Sequence, residues 1–99
     1  MKEIYFGDFR TYVIQHSREI SSEDHEYQST TWYLLKYLKR IEKSTNSPTT
    51  PGRVEGSMRG LIRFYVDNID EKSELAERCR KIYEEYRKTL REAQEKRDG

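Results

Sequence analysis

The stretch Glu71–Ala93, EKSELAERCRKIYEEYRKTLREA, decides the fold class. Leu75, Cys79, Ile82, Tyr86, Thr89 and Ala93 step by alternating intervals of four and three, while Ala76, Tyr83 and Leu90 keep a parallel row at intervals of seven. A helix of 3.6 residues per turn gathers such positions on one side. Charges of both signs flank them, as along a short heptad seam. Asp70 is expected to cap this helix, with Glu71 and Glu74 in a first turn whose dipole favours carboxylates. The spacing predicts a long last helix over 71–96.

Immediately upstream, PGRVEGSMRGLIRFYVDN (residues 51–68) reads as a third helix, opened by Thr50 as cap and Pro51 at the first helical position. Val54, Met58, Leu61, Ile62, Tyr65 and Ile69 are expected on its core side. Gly52, Gly56 and Gly60, four residues apart, fall on the opposite face between Arg59 and Arg63. An interior glycine costs about 0.8–1 kcal/mol relative to alanine, so the ladder implies close approach by another helix or by a ligand's backbone. Gly52 either closes the preceding loop or belongs to the helix. That loop, residues 44–52, is dense in Ser, Thr, Asn and Pro, which compete with regular structure.

The N-terminal half carries two more helical patterns. Asp8 can cap a helix over 8–20 with Phe9, Tyr12, Val13, His16 and Ile20 at helical spacing, although Tyr12-Val13-Ile14 also fits a short strand. Ser21-Ser22-Glu23-Asp24 reads as the start of a helix over 22–43 with Tyr27, Thr31, Leu34, Leu35, Leu38 and Ile41 inside. The expected architecture is all-α: a small bundle of about four helices with a long last one, forming a single domain over 1–99.

Composition narrows the function. Charged residues make up 37% of the chain and apolar ones 33%, but eight Tyr, three Phe and one Trp argue for a folded core. A core this thin invites supplementary burial against a second copy or a partner. The net charge of +1 conceals a division: residues 26–66 hold seven basic against three acidic groups, while both flanking segments are slightly acidic. The lone Cys79 excludes an internal disulfide and fits a reducing compartment. With neither a signal-peptide layout nor an apolar run long enough to cross a bilayer, a cytoplasmic location and no membrane partner are expected.

Catalytic chemistry finds little footing. His25 lies among Glu23, Asp24 and Glu26, but no His-x-x-x-His or Glu-x-x-His pair supplies metal-ligand spacing. His16 falls on an apolar face, and Cys79 on the inner seam, where burial raises a thiol's pKa. No phosphate-binding or dinucleotide fingerprint is present. We therefore assign no catalytic residue, metal or cofactor.

Binding surfaces are better marked. The second helix gathers Trp32, Tyr33, Lys36, Lys39, Arg40 and Lys43 outside its inner face, and the third adds Gly56, Arg59, Gly60 and Arg63, with Arg53 beside them. Trp, Tyr and Arg anchor protein interfaces; the same types also stack bases and meet phosphates. The expected role is a non-catalytic helical interaction or regulatory module that self-associates or docks on a protein partner. The alternative is a small helical subunit of a nucleoprotein complex that binds a nucleic-acid backbone.

Overall fold

A computed structural model describes residues 5–23, 25–46 and 49–98, including the backbone but not the side chains of 96–98. Four helices follow one another: α1 (Gly7–Ser21), α2 (Thr30–Ser44), α3 (Pro51–Asn68) and α4 (Glu74–Asp98). There is no strand among the described residues, so Tyr12-Val13-Ile14 belongs to α1. α4 is the longest at 25 residues, about 37 Å at 1.5 Å per residue, in a molecule measuring 46 × 23 × 19 Å.

The helix starts depart from the sequence reading, and hydrogen bonding explains each departure. α2 begins at Thr30 rather than at residue 22. Ser21 and Ser22 turn their hydroxyls back onto the carbonyls of Arg18 and Glu19, at 3.1 and 2.7 Å, and so close α1 instead of opening α2. Gln28 adopts a left-handed φ of 62°, which no continuous helix tolerates. Ser29 then caps α2, its hydroxyl accepting from the Trp32 amide at 3.2 Å. Tyr27, expected inside, stands in the connecting turn and is 76% exposed; Thr31 is half-buried.

α4 likewise begins three residues later than expected. The Asp70 carboxylate accepts from the Lys72 amide within the turn, and the Ser73 hydroxyl accepts from the Ala76 amide at 3.2 Å as the helix cap. α1 has Phe6 at its cap position with no side-chain cap, leaving Asp8 in the first turn. Thr50 and Pro51 open α3 as expected, and Gly52 lies inside that helix. The loop is therefore shorter than 44–52: Ser44 ends α2 and Thr45 caps it.

α2 packs between α1 and α3, while α4 lies against both α1 and α3. Phe9, Val13 and Ile20 from α1 meet Leu34, Leu38 and Ile41 from α2, Val54, Met58 and Leu61 from α3, and Ala76, Cys79 and Ile82 from α4 in one core. The Arg10 Nε also donates to the Glu42 carbonyl, 3.2 Å away, tying α1 to the end of α2. Two arcs shift from expectation. On α3, Phe64 is buried, whereas Ile62 is 37% exposed; on α4, Tyr83 is also 37% exposed.

Candidate functional site

Two surfaces meet at α3, one on each flank. Along the α2 side, Tyr37 stacks on Phe64 with centroids 4.9 Å apart, and Tyr33 lies 6.4 Å from the same ring. The space for Tyr37 is made at Gly60, where an added Cβ would stand 3.4 Å from that ring. Tyr37 against Gly60 and Tyr33 against Phe64 fix α2 and α3 as antiparallel neighbours. The close approach inferred from the glycine ladder is thus met at Gly60 by the chain's own α2. At Gly52 and Gly56 a Cβ would meet nothing within 4 Å. Those two positions are bare backbone facing outward.

Beside this seam runs the aromatic and basic face. Trp32 is half-buried, its ring meeting Tyr27 and Tyr33 edge-on at 4.8 and 4.9 Å. The Lys36 ammonium sits 4.0 Å from the Trp32 centroid, and the Arg40 guanidinium 5.2 Å from that of Tyr37. These cation–π contacts hold two of the four α2 cations in fixed positions. Among the described residues, no carboxylate lies within 4.0 Å of Lys36, Lys39, Arg40, Lys43, Arg53 or Arg63. Helical spacing disperses the residues grouped from sequence. Lys39 points toward α1, where it lines a shallow recess with Leu35 and Glu42. Arg59 pairs with Glu55 at 2.9 Å and lies on the α4 side of α3. Tyr33, Lys36, Arg40, Gly60, Gly56 and Arg63 follow the α2–α3 seam and its outer edge.

On the other flank α3 and α4 leave an open groove. One part, about 280 Å³, is lined by Leu61, Ile62, Tyr65, Val66, Cys79, Arg80 and Tyr83. A second, about 370 Å³, shares Ile62 and Tyr83 and continues past Met58 and Tyr86 to Leu90 and Pro51. Val66 is 71% exposed here. Arg80 fastens one end, donating to the Tyr65 hydroxyl at 3.3 Å, to the Glu71 carbonyl at 3.2 Å and to Glu77 at 2.9 Å. Sequence reasoning missed this groove because it assigned Ile62 and Tyr65 to the core. The available signal was a surplus: α3 carries Val66 besides its expected apolar set, and α4 carries two apolar rows where one suffices for a core seam.

Outside these faces, His16 and Arg78 serve packing between α1 and α4. His16 is nearly buried, with Tyr12 edge-on at 4.7 Å. Arg78 from α4 donates to His16 Nδ1 at 3.0 Å and to Glu19 at 2.7 Å, joining α4 to α1. Burial first, then the Arg78 charge, pushes the His16 pKa below 6.5. Burial pushes the Cys79 thiol up to about 11. His25 is exposed, its Nδ1–H donating to the Glu23 carbonyl at 3.0 Å; the neighbouring Asp24 lies outside the described residues. Among the described residues, no three His, Cys, Asp or Glu side chains converge as a metal site would require. Nor, among the described residues, is any helix long and apolar enough to cross a membrane. No protein-family model matches the chain, nor does any curated protein or solved structure.

Proposed function

We propose that the protein is a non-catalytic helical interaction module that pairs with a second copy of itself through the α3–α4 groove. The observation carrying this reading is the open apolar groove itself, with Ile62, Val66 and Tyr83 exposed along it. Contiguous exposed apolar surface rimmed by polar groups is the usual mark of an interaction site. A second copy suits the rim, which carries both Glu55 and Glu77 and the cations Arg59, Arg80 and Arg87. A two-fold interface sets each patch against its own image, so a rim of mixed sign can complement itself. α3, at 18 residues, gives this face a length of about 27 Å and the helix pair a width of about 20 Å, on the order of 500 Å², the size of a small, reversible interface that buries less than ~1,200 Å² in all. The reading includes a reducing, cytoplasmic setting in which Cys79 remains a thiol.

The test is molecular mass in solution by light scattering or sedimentation. Wild type should run as a dimer, and Ile62→Asp combined with Val66→Asp should run as a monomer with unchanged helical circular dichroism. Both side chains are exposed in the single chain, so the substitutions spare its core. A monomeric wild type at micromolar concentration, or a doubly substituted protein that still dimerises, refutes the proposal.

A further inference from the structure

Opposite the groove, Lys36, Arg40, Lys43 and Arg63 lie around the outer side of α2 and α3 with no carboxylate within 4.0 Å among the described residues. The ion pairs are elsewhere: Arg78 with Glu19 and Glu74, Arg80 with Glu77, and Arg59 with Glu55. In a protein of net charge +1, this segregation concentrates positive potential on one face. Along α2, Lys36, Arg40 and Lys43 recur at about one per helical turn. The antiparallel seam brings Arg63 of α3 alongside them. At the end of this row Tyr27 and Tyr33 each meet Trp32 edge-on, and Tyr27 is 76% and Tyr33 39% exposed.

We propose that this α2–α3 face binds single-stranded nucleic acid, the cations meeting backbone phosphates and the Tyr27–Trp32–Tyr33 cluster stacking unpaired bases. The combination decides the ligand class. An acidic peptide would be drawn to the cations but gains nothing specific from exposed ring faces. A duplex offers phosphates but keeps its bases stacked internally. A single strand alternates anionic phosphate with a flat π-surface, and both halves find counterparts here. Cation–π contacts pre-position Lys36 and Arg40, so less side-chain freedom is lost on binding. Gly56, two turns before Arg63 on α3, leaves the backbone uncovered there and puts no side chain in the strand's way. The inference does not depend on dimerisation, because the groove lies on the other flank of α3.

The test is fluorescence anisotropy with a labelled oligothymidylate, using both wild type and the Ile62→Asp, Val66→Asp variant. Both should bind at low salt, with log affinity falling by about 0.7 per phosphate contact against log salt. Lys36→Gln with Lys43→Gln should flatten that slope by about 1.4. Tyr27→Ala, at a side chain that holds no core contact, should weaken oligothymidylate binding about fivefold or more while leaving the slope unchanged. No binding at low salt overturns the inference. So does a Tyr27→Ala variant with wild-type affinity, or displacement by polyglutamate as effective as by unlabelled oligothymidylate, which would mark the face as a site for acidic protein. Stronger binding to the matching duplex than to the single strand overturns it as well.

Discussion

The glycines of α3 permit a test of the packing at single positions. Gly56 is open on every side, since a Cβ there would meet nothing within 4 Å. Gly56→Ala therefore adds no clash and recovers the helix propensity that glycine forfeits, about 0.8–1 kcal/mol. For a domain of this size that raises Tm by about 3–8 °C. Gly60 sits four residues along the same helix, but a Cβ there touches the Tyr37 ring at 3.4 Å. Alanine fits at that distance, while the branched tip of leucine has to displace the ring. Gly60→Leu loses the Tyr37–Phe64 stack, worth about 0.5–1.5 kcal/mol, and overpacks the seam at about 1–3 kcal/mol. Set against the propensity gain, the net loss is about 1–3 kcal/mol. Thermal melts followed by far-ultraviolet circular dichroism measure both changes, and the near-ultraviolet aromatic signal should change only with Gly60→Leu. A lower Tm for Gly56→Ala, or an unaltered Tm and aromatic spectrum for Gly60→Leu, refutes the placement of Tyr37 over α3.

Two further outcomes follow from the buried titratable groups. His16 has a depressed pKa in the folded protein, so the unfolded chain binds more protons in acid; stability is complete above pH 6.5 and declines as pH falls below it, by at most about 1.36 kcal/mol per unit. In melts between pH 6.5 and the carboxylate range, His16→Gln should remove that component of the slope, and an unchanged slope would show that His16 is not held neutral. Cys79, pushed from 9.0 to about 11, should react with an aromatic disulfide reagent at least about a hundredfold more slowly in the native protein than in denaturant. Comparable rates would contradict its burial.

The α4 seam was legible because its periodicity is strong and its neighbours only confirm it: Cys79, Ile82 and Tyr86 are buried as the spacing requires. Thr50-Pro51 was legible because proline at the first helical position has a local cause. The start of α2 was not, since a serine hydroxyl can serve either the end of one helix or the start of the next, and Gln28 gives no sign of a left-handed backbone. Nor could the sequence tell which apolar residues of α3 would find a neighbour. Phe64 is buried because Tyr37 reaches over Gly60, whereas Ile62 and Val66 stay open because α4 stands away from them. Those outcomes depend on inter-helix distances, which no single helix encodes. The basic aromatic face was half legible: residue types and helix were readable, but not that Arg59 and Lys39 turn away to the flanks.

The position of α3 has a mechanical consequence. Its one flank, through Gly60 and Phe64, is locked to α2 by ring stacking; its other flank, through Ile62 and Val66, forms a wall of the open groove. Arg80 pins only the end near the α3–α4 connection. α3 therefore behaves as a beam clamped along one edge and at one tip. Val54 and Met58 anchor the Pro51 half in the core, so a load applied from the groove passes across the helix into the α2 seam and the core.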